Sequence, residues 1–295
     1  MLELGIVGSD NSHALHFAQI ANQSDLGVDR CRVVGICGAE PDRTQEVAEE
    51  GGIDEIYETP EDMVDVVDAA LVVDRHGGLH REHAMPFLEA GLPVFVDKPF
   101  AVDLADVEAM IDAAREHDVP VTSFSTVRFA PTTLELADRV EGIGEVKAAQ
   151  LAGPCDFDSQ YAGPYFYATH VVAMAAPLVG ESVETVRAHR NGDTVTVTAD
   201  WGEDTGVAIT YVTNAAYQFR ATLFGTDDVL AEEVSLDGCY EAGFEVVLDM
   251  FETGEWPLSA EQLKRPIAFV DAIEKSLEAD GASVPVPVDR SGRRE

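Results

Sequence analysis

Hydrophobic and polar positions recur with two alternating periods along the first part of the chain. Leu2 to Val7 is an apolar run of strand length, and Ala14 to Asn22 repeats its apolar residues at helical spacing. Arg32 to Cys37 returns to strand and Arg43 to Glu50 to helix. Ala69 to Val73 predicts a third strand, a helix follows from about Leu79 to Ala90, and Val94-Phe95-Val96 is a short buried strand. Leu104, Val107, Met110, Ile111 and Ala114 line one face of a helix from Leu104 to His117, before Val119 to Phe124 reads as strand. From Glu145 onward the pattern changes to strands without intervening helices: Glu145 to Leu151, Val183 to Arg190, Thr194 to Asp200, Val207 to Val212, Tyr217 to Phe224 and Val229 to Val234. Gly202 to Gly206 and Thr226-Asp227-Asp228 read as hairpin turns, and helices near Gly243 to Thr253 and Ala260 to Ala279 finish the chain.

Strands alternating with helices at short spacing imply βαβ units, so the predicted class is α/β, with a Rossmann-type doubly wound parallel sheet over residues 1–122. Residues 123–295 are expected to form an α+β domain with an open, mainly antiparallel sheet. Strict alternation in Thr194-Val195-Thr196-Val197-Thr198 makes one face of that sheet apolar and the other hydroxylated.

Candidate chemistry concentrates where the Val94 strand runs into Asp97-Lys98-Pro99. Proline ends the ladder, leaving Asp97 and Lys98 at the carboxyl end of the strand, the edge at which open parallel sheets bind ligands. A desolvated lysine there hydrogen-bonds a substrate hydroxyl with its pKa moved toward neutrality.

Taken with the Gly8 loop, His80-Arg81-Glu82-His83-Ala84, Ala90-Gly91-Leu92-Pro93-Val94 and Arg128-Phe129, this motif resembles the glucose-fructose oxidoreductase and inositol dehydrogenase superfamily. That family shows Glu-Lys-Pro at the Asp97 position, a histidine at His80 and Arg-Phe near 128. His170 with Gly180 ten residues on, and Ala272 to Val284, resemble the substrate-domain histidine helix and the closing helix and strand. The resemblance implies a nicotinamide-dependent oxidoreductase acting on a sugar, cyclitol or related polyol, with Lys98 and His170 as catalytic residues. Gly8, Ser12 and His13 would line the pyrophosphate and Asp74 to Gly77, Arg75 and His76 among them, the nicotinamide side, with Asp10, Asn11, Gly38, Arg43, Asp97 and Lys98 as further cofactor contacts. His80, Arg128, Tyr161 and Tyr167 are the candidate substrate contacts. A homo-oligomer, dimer or tetramer, through the second sheet is also implied.

Three departures matter. In place of G-x-G-x-x-G stands Gly8-Ser9-Asp10-Asn11-Ser12-His13, which keeps only the first glycine, with Ser12 placed to cap the following helix. After the second strand, Cys37 is followed by Gly38 and Ala39 rather than an acid, and Arg43 is near enough to pair with a 2′-phosphate. NADP is therefore favoured over NAD, with Glu40 taking the acidic role in the alternative. Finally, the family's Asp-x-x-x-His has Phe166 at the aspartate position, so Tyr165 or Tyr167 would substitute as the acid, and a merely packed His170 remains an alternative.

Composition changes the picture once more. The chain of 295 residues has 55 acidic against 19 basic residues, a formal net charge of −36, and 46% hydrophobic residues. So apolar a chain builds a core, and its scattered acids, such as Glu46, Glu49, Glu50, Asp54, Glu55 and Glu58, read as a solvated surface. Acid excess with only four lysines points to the salt-rich cytoplasm of an extreme halophile, where screening removes the self-repulsion. No basic patch serves nucleic acid, no apolar run spans a bilayer, and Met1 leads directly into a strand with no secretory signal. Cys31, Cys37, Cys155 and Cys239 lack paired spacing and read as reduced thiols, while Pro285 to Glu295 reads as a loose polar tail. Two other function classes stay open. One is a catalytically silent ligand-binding or regulatory protein. The other is a metal-dependent hydrolase or isomerase built from His13, His16, His76, His80 and His83 with Asp10 and Asp74.

Overall fold

The computed structural model describes residues 1–202 and 204–287, so most of the tail read from Pro285 to Glu295 lies outside the described residues. The chain forms two compact units.

The first unit is built on strands β1 (Leu2–Val7), β2 (Cys31–Cys37), β3 (Glu55–Ile56), β4 (Ala69–Val72), β5 (Val94–Val96) and β6 (Val121–Ser123). Their order is β3-β2-β1-β4-β5-β6, every pair parallel. The order reverses between β1 and β4, the switch point at which such sheets bind ligands. Helices α1 (Ser12–Gln23), α2 (Pro41–Gly51), α3 (His80–Glu89) and α4 (Leu104–Glu116) connect the strands. The central strands β4 and β5 are buried on both faces, which is why they read as unbroken apolar runs rather than alternating ones.

The second unit starts with α5 (Pro131–Val140), which the sequence pattern does not single out, and β7 (Val146–Pro154). Helix α6 (Tyr165–Val179) intervenes before β8 (Val183–Asn191), so the expectation of strands without helices fails at this point. Ten of its fifteen residues are buried, and a helix apolar nearly all round offers no periodic signal. Strands β9 (Thr194–Trp201), β10 (Thr205–Val212), β11 (Phe219–Gly225) and β12 (Val229–Val234) follow. After them come α7 (Cys239–Thr253), α8 (Ala260–Glu278) and β13 (Val284–Pro285). The sheet order is β12-β11-β7-β10-β9-β8-β13, antiparallel except for the β7/β10 pair. Alternation holds in β9, where Val195, Val197 and Ala199 are buried and Thr196, Thr198 and Asp200 exposed.

Helix α7 belongs with the first unit, which comprises Met1–Phe124 and Tyr240–Ala260, rather than finishing the second as its place in the sequence suggests. Aromatic packing explains this. Phe244 stacks on Phe17 of α1 with ring centroids 5.6 Å apart, and Arg30 bonds both Asp249 and Glu252.

Candidate functional site

The carboxyl edge of the first sheet gathers the loop after β1, the loop after β4 and the end of β5. Gly8 leaves β1 at φ +94, and a Cβ there would come within 2.6 Å of the Asp74 backbone nitrogen, so the β1 and β4 loops approach closely only because position 8 is glycine. Asn11, not Ser12, caps α1: its backbone is extended and its side-chain Oδ1 accepts the His13 N–H at 3.3 Å, a contact of a kind that contributes about 1 kcal/mol. Asp10 accepts the Arg75 N–H at 3.2 Å, tying its carboxylate to the β4 loop.

Asp97 and Lys98 follow β5, and the Lys98–Pro99 bond is cis. Asp97 is wholly buried and Lys98 is 4% exposed. His13 Nδ1 lies 2.7 Å from Asp97 Oδ2, and Asn11 Nδ2 donates to the same oxygen at 3.1 Å. Burial pushes the Asp97 carboxyl up, but the His13 ring and the Lys98 ammonium outweigh it and hold it down to about 2. Burial lowers the Lys98 pKa, assisted by Arg75 and opposed by Asp97. A lysine so placed is a donor that gives up its proton more easily than a surface lysine.

Several expected contact residues are engaged within the first unit. His80 is completely buried, with Nδ1 2.7 Å from the Pro99 carbonyl and Nε2 2.9 Å from the Asp74 carbonyl, so it pins the turn after Lys98. The Asp74 carboxylate pairs with His83 Nδ1 at 2.8 Å; burial lowers the His83 pKa, but the carboxylate outweighs burial and raises it. His76 Nδ1 accepts the Gly78 N–H and caps a short turn before α3. The histidines thus have separate duties, and among the described residues no three His, Cys, Asp or Glu side chains are grouped to hold a metal ion.

In the second unit, His170 on α6 is 7% exposed and its Nδ1 lies 2.7 Å from Ser125 Oγ. Tyr167 stands edge-on to His170 at 5.1 Å and to Tyr217 at 6.1 Å, and burial, then Tyr167, raises the Tyr217 pKa. Tyr161 packs against Phe166. Arg128 is held by Glu181 at 2.7 Å, and Gln262 donates to the same carboxylate oxygen, so the Arg128 fork is engaged within its own unit. Ser125 carried no signal of its own: a serine after a strand is common, and only folding brings it to His170.

The residues fit a dinucleotide. Position 8 keeps the tight turn, α1 presents its N-terminus after it, and the bulk added at His13 is turned onto Asp97. Gly8, Asn11 and Ser12 would hold the pyrophosphate, and Gly38 and Arg43 would flank the adenosine ribose.

Residues 2–125 match the Gfo/Idh/MocA family model, described as an oxidoreductase family with an NAD-binding Rossmann fold. The matched stretch covers the first unit's sheet and less than half of the chain. Among curated relatives, the chain is 26% identical over 196 residues to the myo-inositol 2-dehydrogenase of Thermotoga maritima, covering 63% of this chain and 57% of that protein. It is also 32% identical over 92 residues to the scyllo-inositol 2-dehydrogenase (NADP(+)) of Bacillus subtilis, covering 31% of this chain and 28% of that one. The matched segments thus span little more than half, or less, of these relatives. The fold extends further than the sequence likeness. A probable dehydrogenase from Thermotoga maritima superposes with a TM-score of 0.83 at 22% identity, over 97% of this chain and 99% of that one. The scyllo-inositol dehydrogenase from Lactobacillus casei, solved with NAD(H) and scyllo-inositol, gives 0.84 at 16% identity over 97% and 99%.

Proposed function

We propose that the chain is an NAD(P)-dependent oxidoreductase acting on a carbinol or carbonyl carbon of a sugar, cyclitol or related small polyol. The observation that carries this reading is the buried Lys98 at the carboxyl edge of a sheet whose residues match the model of an NAD-binding family. Inositol dehydrogenases among the relatives support the polyol class. A bound nicotinamide would supply the hydride acceptor or donor. Lys98 would hydrogen-bond the reacting hydroxyl and favour its alkoxide. His170 is the group proposed to take or return the proton, on its place in the family pattern. No side chain of the loop after β1 is cationic, so pyrophosphate binding rests on backbone N–H groups and the α1 dipole.

We also propose a homo-oligomer, with a second copy covering the open face of the second sheet, where Gln150, Thr196 and Thr198 are exposed and Ala208 half-exposed. A halophilic cytoplasm is proposed from composition; among the described residues no helix is long and apolar enough to cross a membrane.

Fluorescence titration with NADPH and NADH at molar salt, followed by turnover on polyols, tests the enzyme reading. Lys98→Met keeps the apolar stem and removes the ammonium. Cofactor affinity should change little, while turnover falls by roughly 10² to 10⁴. Full turnover in that variant, or no dinucleotide binding by the parent, sinks the proposal.

A further inference from the structure

Where the dinucleotide fingerprint has its third glycine, this chain places an imidazole that reaches the residue before Lys98. His13 is the second residue of α1, and Nδ1 lies 2.7 Å from Asp97 Oδ2. An ionised carboxylate only accepts, so the ring donates from Nδ1. Asn11, the α1 cap, donates to the same oxygen from Nδ2 and accepts the His13 N–H on Oδ1. One carboxylate oxygen therefore joins the start of α1 to the end of β5. The backbone on that side is already fixed, because Asp97 N–H donates to the Val72 carbonyl at 2.8 Å.

We propose that His13 is a positioning residue for Lys98: by donating to the buried Asp97 carboxylate, it holds that group, and through it the neighbouring lysine, in one arrangement. The proposal rests on reading Lys98 as the hydroxyl-binding group. A fully buried carboxylate without strong donors either rotates in search of them or takes up a proton, and either change would displace the charge beside Lys98. Two donors on Oδ2 oppose both, and they matter the more because the buried Oδ1 has no hydrogen-bond partner among the described residues.

The surroundings separate this duty from packing. The His13 ring stands edge-on to Tyr240 at 5.1 Å and to Phe17 at 6.2 Å, so it also fills space. The other titratable groups facing the cluster are Arg75 beside Lys98, His16 stacked on Tyr240 at 4.4 Å, and Glu241 near His16.

Two substitutions discriminate. His13→Asn puts an amide nitrogen the same number of bonds from Cβ as Nδ1, keeping the donor and losing the ring. His13→Phe keeps the ring and loses the donor. If donation is the duty, His13→Asn keeps turnover within about threefold of the parent, while His13→Phe loses on the order of 10 to 10² in kcat with NADPH affinity unchanged. The protein alone gives a second readout. Asp97 adds stability that is present above pH ~4 and lost as pH falls toward about 2, so an unfolding series from neutral to acid pH should show a smaller acid loss, complete at higher pH, in His13→Phe and the parent's loss in His13→Asn. Packing as the sole duty predicts the reverse ranking, which would overturn the proposal, as would a His13→Phe protein identical to the parent in both measurements. If no form of the protein transfers hydride, the functional reading fails by itself, and the acid series still decides whether His13 holds Asp97.

Discussion

Ser125 has two hydrogen-bonding duties at the turn after β6. Its Oγ accepts the Val127 N–H at 3.2 Å and meets His170 Nδ1 at 2.7 Å, while the side chain is almost fully buried. A histidine fixed at one ring nitrogen presents the other in a defined orientation, the role a carboxylate fills in many sites and Phe166 does not fill here. We therefore expect Ser125→Ala to lower turnover roughly tenfold and to shift the pH at which activity rises, with dinucleotide affinity unaltered. A loss of thermal stability with an unchanged pH profile would instead make His170 a core residue. The same scale explains the fate of His80. Its position in the family pattern is visible in the sequence, but its burial against two backbone carbonyls is a tertiary fact that makes it a brace for Pro99.

At the scale of elements, the proposed preference for NADP rests on the junction of β2 and α2. Gly38 lies against Ser9, whose Oγ is 2.8 Å from Thr44 Oγ1 on α2, and Glu40 precedes α2 without capping it. No carboxylate ends β2 itself. Arg43, in the first turn of α2, donates from Nε to the Ser9 carbonyl at 3.3 Å and pairs with Glu46 at 2.6 Å, so its guanidinium is pre-placed beside the loop after β1. A 2′-phosphate would replace the exposed Glu46 as its partner. NADPH should then bind more tightly than NADH by about 1 to 3 kcal/mol, and Arg43→Ala should erase the difference. Equal affinities in parallel fluorescence titrations would reduce Arg43 to a brace for the Ser9 loop.

The whole molecule is dominated by its charge. Glu46, Glu49, Glu50, Asp54, Glu55 and Glu58 are all exposed, and with 55 acids against 19 basic residues, ion pairs such as Arg32–Asp54 neutralise only a minority. Exposed pairs add little stability, so the repulsion among the rest decides how the fold responds to ionic strength. At molar salt the Debye length is about 3 Å, and the repulsion between neighbouring acids is largely screened. Circular dichroism melts across a salt series should show the midpoint falling steadily on dilution from molar to dilute buffer. The same midpoint throughout would leave the acidic surface without a halophilic role.

Periodicity and composition determined the parallel βαβ order of the first sheet, the edge at which Lys98 lies, the alternating faces of strands such as β9 and the acidic surface, because each is written in local spacing or in counts of residues. The ends of β1 and β5 lie where the sequence pattern puts them, Gly8 following one and Pro99 lying just beyond the other. What only the tertiary structure decided depends on residues far apart in the chain: the return of α7 to the first unit through Phe17 and Phe244, the meeting of Ser125 with His170, and the bond from His13 to Asp97. A side chain's type and local period say that it is buried or polar. Which partner it finds is set by how the sheets bring distant segments together, and a histidine in an otherwise apolar segment gives no local sign of whether it will meet a carbonyl, a hydroxyl or a carboxylate.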